Sequence, residues 1–268
     1  RRSVAAAWLV AQSRRWSVVV AAALVLAYWF AQWPLPRLLR DHPDYNFYLV
    51  QPALWLLVGG LAFLGWRRLA ERPRFSRLLL GIGFLAGIFH LAILVIAGVL
   101  WSFGNSPVGG KLVNYPKNLL YFTTLLAGLE MARTYLFEVW RRVNRRAAFV
   151  GVAVLLFVVG VAAAQWGSFP SVDRGLTVVG GRWVPALALS FLCTWLVSYG
   201  GVGPSFAYRW VLVAFEWFSP ILPNLDWPIQ LALGLAIPVA AEWLVRGMYQ
   251  ETREGAPRYP RQEEAETA

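Results

Sequence analysis

The sequence predicts an all-α protein, a polytopic transmembrane helical bundle of about eight spans. Composition, block length and charge placement carry that reading. Of 268 residues 58% are hydrophobic, and the mean hydropathy is +0.51, well above that of soluble chains. The apolar residues run in continuous blocks, each long enough to cross a hydrocarbon layer of about 30 Å as a helix. Charged residues make up only 15% of the chain and collect between those blocks. A β-barrel would need alternating apolar and polar positions, and these blocks do not alternate. Backbone groups in lipid must be satisfied internally, which leaves helices.

In chain order the spans are expected at 16–33, 48–66, 78–101, 119–140, 148–166, 183–199, 205–222 and 228–245. Tryptophan marks many of their ends, at Trp16, Trp33, Trp66, Trp101, Trp140, Trp166, Trp183 and Trp227. Its ring is apolar while its N–H seeks water, so it favours the membrane interface. Residues 1–245 thus form one helical transmembrane domain. Residues 246–268 read as a charged cytoplasmic tail or linker, because "QETREGAPRYPRQEEAETA" lacks apolar periodicity.

The seventh block, "PSFAYRWVLVAFEWFSPILP", carries Arg209 and Glu216 and admits two placements. Crossing the bilayer, it makes the span count even; lying in the interface as an amphipathic helix, it leaves seven spans and an external tail. The basic residues after 245 favour the first placement.

The net charge of +11 could suggest nucleic acid, but its distribution excludes that partner. The arginines sit at block ends, where they set membrane orientation. Arg1, Arg2, Arg14 and Arg15 precede the first span. The second-to-third connection holds Arg67, Arg68, Arg72, Arg74 and Arg77, and the fourth-to-fifth holds Arg141, Arg142, Arg145 and Arg146. The alternate connections hold only Arg37 and Arg40, Lys111 and Lys117, then Arg174 and Arg182. The N-terminus and, with eight spans, the C-terminus are therefore expected in the cytoplasm. The chain opens on Arg1 and not Met, so the natural chain is expected to be longer. No secretory cleavage site follows the first block.

Few residues offer chemistry. Glu130 and Arg133, three apart in the fourth block, share a helix face, and Thr134 adds a hydroxyl to it. Arg209 and Glu216, two helical turns apart, share another. Charges inside membrane helices face the bundle and pair there, and they are functional candidates by default. Cross-pairing of Glu130 with Arg209, or of Arg133 with Glu216, would lock two helices together. The same residues could instead line a substrate or ion path, or serve catalysis. His90, in "GIFHLAIL", reads either as a proton relay or as a hydrogen-bonded packing histidine. His42 reads as solvated.

"GIGFLAG", 81–87, loosely matches a dinucleotide fingerprint, but it lies within a span with no strand before it, so that reading is discarded. Gly83 and Gly87 also form a G-x-x-x-G, which lets helices approach closely. The outside connection "GNSPVGGKLVNYPKN" reads as a ligand loop or a plain connector. No P-loop or H-E-x-x-H is present, and the single Cys193 permits neither a disulfide framework nor a multi-cysteine metal site. No catalytic residue, cofactor or metal is expected, and the lipid bilayer is the expected surround.

"PVGGKLVNYPKNLLYFTTLLAGLEMARTYL" (107–136) and "YRWVLVAFEWFSPILPNLDWP" (208–228) resemble the multi-span membrane region that precedes the peptidase part of certain signal peptidase I-like proteins of bacteria and archaea. The resemblance implies a prokaryotic plasma membrane. It also implies a further span leading to an extracytoplasmic serine peptidase domain, with a secreted protein's signal segment as partner. That peptidase needs a nucleophilic serine, usually followed by methionine, and a Lys or His base. Neither Met131 nor Met248 follows a serine here, so no catalytic residue carries over. The resemblance therefore implies an anchoring or positioning module. The rival expectation is a small transporter or channel. Lipid-modifying chemistry would rest on His42, Asp41, Asp44 and Asp173 alone.

Overall fold

A computed structural model describes residues 2–69, 76–106, 115–162, 165 and 172–254. The long helices are α1 (Arg2–Gln32), α4 (Gln51–Arg67), α5 (Arg77–Leu100), α6 (Tyr115–Trp140), α7 (Arg145–Gly160), α9 (Val184–Gly200), α10 (Val202–Phe218) and α11 (Trp227–Glu254). Short helices α2 (Pro34–Leu38), α3 (Pro43–Tyr45) and α8 (Val172–Val178) join them. Single π-helical turns, Asn46–Val50 and Val179–Trp183, lead into α4 and α9. Each expected block falls on one long helix.

Five helical segments are long and apolar enough to cross a membrane: Gln12–Leu38, Pro43–Arg67, Arg77–Leu100, Val172–Gly200 and Trp227–Gln250. Three long helices stand outside that set, so a count of eight goes beyond it. Helix α6 is long enough at 26 residues but carries Lys117, Glu130, Arg133 and Glu138. It lies at the centre, touching α1, α4, α7, α9 and α10, and from Phe122 onward most of its side chains are buried against protein. Helices α7 and α10, at 16 and 17 residues, rise about 24 and 26 Å.

Several boundaries differ from those expected. The block at 148–166 stops being helical at Gly160, and Trp166 lies outside the described residues. The block at 205–222 ends at Phe218, because Ser219 turns extended before Pro220. Ile221–Pro223 then forms strand β2, antiparallel to β1 (Phe103–Asn105), with Asn105 opposite Ile221. At the tail α11 continues to Glu254, so residues 246–254 are helical; the rest of 246–268 lies outside the described residues. Residues 107–114 of the outside connection also lie outside them.

The bundle has a basic end and an opposite end. At the basic end Arg68 lies over the Trp16 ring, Trp140 donates to Ser17, and Tyr135 donates to the Ser13 carbonyl at 3.0 Å. Asn144 caps α7 there by accepting from the amides of Arg146 and Ala147. At the opposite end β1 meets β2, and Tyr28 donates to the Val161 carbonyl at 2.8 Å.

Two apolar clusters fill the interior. One is built mainly from α1, α4, α6 and α7, around Leu24, Trp55, Tyr135, Leu136 and Val152. The other joins α5, α9, α10 and α11 around Ile82, Leu192, Leu196, Tyr208 and Ala241. Large apolar side chains such as Leu26, Leu57, Leu85, Val150 and Trp243 face outward. Soluble monomers rarely show so broad an apolar exterior.

Candidate functional site

Where the two apolar clusters meet, α6, α9 and α10 share a buried ionic cluster. Its hub is Glu130, with no solvent exposure. Glu130 Oε2 accepts from Arg133 Nε at 2.9 Å and from the Ser205 hydroxyl. Its Oε1 accepts from Arg209 Nη1 at 2.7 Å. Arg133 is equally buried, and its Nη1 donates to the Ser190 carbonyl, the Ser190 hydroxyl and Thr194 Oγ1 at 2.8–3.1 Å. The Ser190 hydroxyl donates to the Ala153 carbonyl of α7 at 2.7 Å, and Thr134 donates to the Glu130 carbonyl at 2.8 Å. One carboxylate and two guanidiniums leave the cluster with a net charge of +1. Arginine stays protonated in proteins, so that charge cannot be relieved by losing a proton.

Sequence spacing explains the convergence. Three residues place Arg133 beside Glu130 on α6, and four place Ser205 beside Arg209 on α10. Of the two cross-pairings considered, Glu130 meets Arg209. Arg133 does not meet Glu216, because its guanidinium turns toward α9. Glu216 instead lines a cavity of about 380 Å³ between α5, α9, α10 and α11, and it makes no ion pair among the described residues. His90 lines the same cavity and shares a hydrogen bond with the Tyr208 hydroxyl. The remaining wall is mainly apolar, including Leu94, Leu189, Leu212 and Phe215, and Gln230 adds an amide.

A second cavity, of about 70 Å³, lies against the ionic cluster. Arg133, Arg209, Ser190 and Cys193 line it with Leu156, Phe157 and Gly160. Ala186 and Leu189 of α9 belong to the walls of both cavities.

Ser190, Thr194, Ser205 and Tyr208 did not stand out in the sequence. Their one signal is spacing, since Ser190–Thr194 and Ser205–Arg209 are each four apart. A second polar group near the end opposite the basic one was missed as well: Tyr121 donates to Gln51, Gln51 to Asn46, and Tyr48 to the buried Asn118. His42 lies beside the Tyr45 ring at that end. Among the described residues no group of three His, Cys, Asp or Glu side chains is placed to hold a metal.

Compared with known proteins, the chain matches no family model, no curated sequence and no solved structure.

Proposed function

We propose that the chain crosses a prokaryotic plasma membrane eight times, with residues 1 and 268 on the cytoplasmic side. In this reading it is the non-catalytic membrane module of a signal peptidase I-like protein, anchoring or positioning the peptidase or its membrane substrate. The observation that carries the reading is the packing of the two stretches on which the resemblance rests. Helix α10 runs antiparallel along α6: Phe218 meets Tyr115, Trp217 meets Tyr121, Trp210 meets Phe122, and Arg209 and Ser205 bind Glu130. The described parts of the two stretches thus pack as one unit, as a positioning module requires.

The span count has independent support. Strands β1 and β2 pair, so in a membrane they would share one face, and the chain between them would cross an even number of times. Of the five strongly apolar segments only Val172–Gly200 lies between them, which is one crossing. If that segment crosses, an odd number of α6, α7 and α10 is expected to cross with it. All three lie lengthwise beside other long helices. Helix α10 follows α5 from Pro204 at Gly83 to β2 at β1, and α7 meets α9 at Phe149–Phe191 and Ala153–Ser190.

The coding DNA on both sides of the reading frame tests the module reading. The expected result is a continuation or adjoining frame encoding one more span and a serine peptidase domain with a Ser–Lys or Ser–His pair. Unrelated genes on both sides would sink it. The walls shared by the two cavities favour a second reading, a small transporter whose path runs past Glu216 toward the buried arginines. Flux of a labelled solute into proteoliposomes would move that reading ahead.

A further inference from the structure

We propose that the 70 Å³ cavity beside the ionic cluster is a binding site for one small monovalent inorganic anion, with Arg133 and Arg209 as its ligands. The charge balance favours a counterion. Among the described residues, Glu130 is the sole carboxylate bonded to either guanidinium, and it serves both. The cluster carries +1 in a water-poor interior, where an unbalanced charge costs several kcal/mol. The bonding pattern supplies the donors. The bonds of Arg133 use Nε and Nη1, leaving Nη2 without a partner among the described residues. The bond of Arg209 uses Nη1 alone, leaving Nε and Nη2. Both side chains line this cavity; Arg133 is fully buried, and the Arg209 side chain keeps 19% of its surface open. Hydroxyl, thiol and apolar groups complete the wall, and no carboxylate is among them. A cavity needs roughly 10–15 Å³ to admit one water, so 70 Å³ accepts a halide-sized ion but not a large organic acid.

Chloride is the probe and gluconate the control, being too bulky for the cavity. The purified protein in detergent is melted across a chloride series, with gluconate holding ionic strength constant. A ligand that binds the folded state alone raises stability by mass action. The expected result is a Tm that climbs by several degrees and saturates, with excess ³⁵Cl line broadening that bromide displaces. Arg209→Gln should lose both responses. Equal melting in the two salts with no excess broadening overturns the site, as does Arg209→Gln responding like the parent. Should that variant fail to fold, the parent's chloride series and line widths decide alone. The site stands independently of any peptidase partner, so the flanking DNA does not bear on it.

Discussion

Glu130 has one carboxylate and three donors to serve, which makes it the residue whose loss is felt most widely. Glu130→Gln keeps the shape but removes the charge that balances Arg133 and Arg209, leaving two guanidiniums without a counter-charge in the cluster. Breaking a buried pair by removing one partner costs about 3–5 kcal/mol. The variant should melt well below the parent in detergent, in chloride and in gluconate alike. Unchanged melting with loss of an activity would show that the cluster serves function and not cohesion. Tyr208→Phe is a milder test in the second apolar cluster. It strips the hydroxyl from His90, which is only 8% exposed, and should cost about 1–3 kcal/mol for the unsatisfied ring nitrogen. Denaturation matching the parent would mean that water takes over the bond. Glu130, Arg133 and Arg209 were legible in the sequence because ionised groups are conspicuous within apolar blocks. Ser190, Thr194 and Ser205 were not, since hydroxyls are ordinary in apolar helices and a four-residue spacing alone is a weak signal.

At the scale of elements, the glycines decide how closely helices approach. A Cβ on Gly83 would sit 2.3 Å from the Pro204 carbonyl oxygen, and one on Gly87 would sit 2.9 Å from that of Tyr208. The G-x-x-x-G is therefore the seam between α5 and α10. Gly81, on the same helix, has open space around its Cβ position. Gly83→Ala should destabilise by about 1–3 kcal/mol through overpacking. Gly81→Ala should be neutral or gain up to about 1 kcal/mol of helix propensity. Equal effects in thermal denaturation would rule out the seam. Gly201 alone separates α9 from α10, with φ 67° and ψ −144°, a conformation nearly confined to glycine. Gly201→Ala should cost about 1–3 kcal/mol in strain, with proteolytic nicking at the turn as its readout. The helices themselves were legible as long apolar runs, whereas their ends were not. Hydropathy does not register that Ser219 and Pro220 release the chain into a strand, nor that a polar tail keeps helical hydrogen bonds to Glu254. Helix α6 shows why hydropathy alone passes over a long helix: packed against five others, it can carry the ionic cluster.

At the scale of the whole molecule, the β1–β2 pairing turns a local contact into a rule about topology. In a membrane, paired strands would share one face, so the segment from Asn105 to Ile221 would cross an even number of times. Six or eight crossings in total obey the rule, and they differ in where four positions lie. Single cysteines at Arg142, Ala162, Val202 and Ile221, placed in a Cys193→Ser background, separate them by labelling intact cells with a membrane-impermeant maleimide. If α6, α7 and α10 all cross, Ala162 and Ile221 react outside, while Arg142 and Val202 react only after the membrane is opened. If α6 alone crosses, Ala162 is protected and Val202 reacts. If α7 alone crosses, Arg142 and Val202 react and Ala162 is protected. If α10 alone crosses, Arg142 and Ala162 react and Val202 does not. The basic end fixes the sign of the pattern, because arginine-rich connections stay in the cytoplasm. The lengthwise packing of α7 on α9, and of α10 on both α5 and α6, leads us to expect the first pattern. A labelled Arg142 would invert the orientation or remove α6 from the membrane, and the buried Glu130 cluster would then lack the low-dielectric setting that makes its charge balance matter.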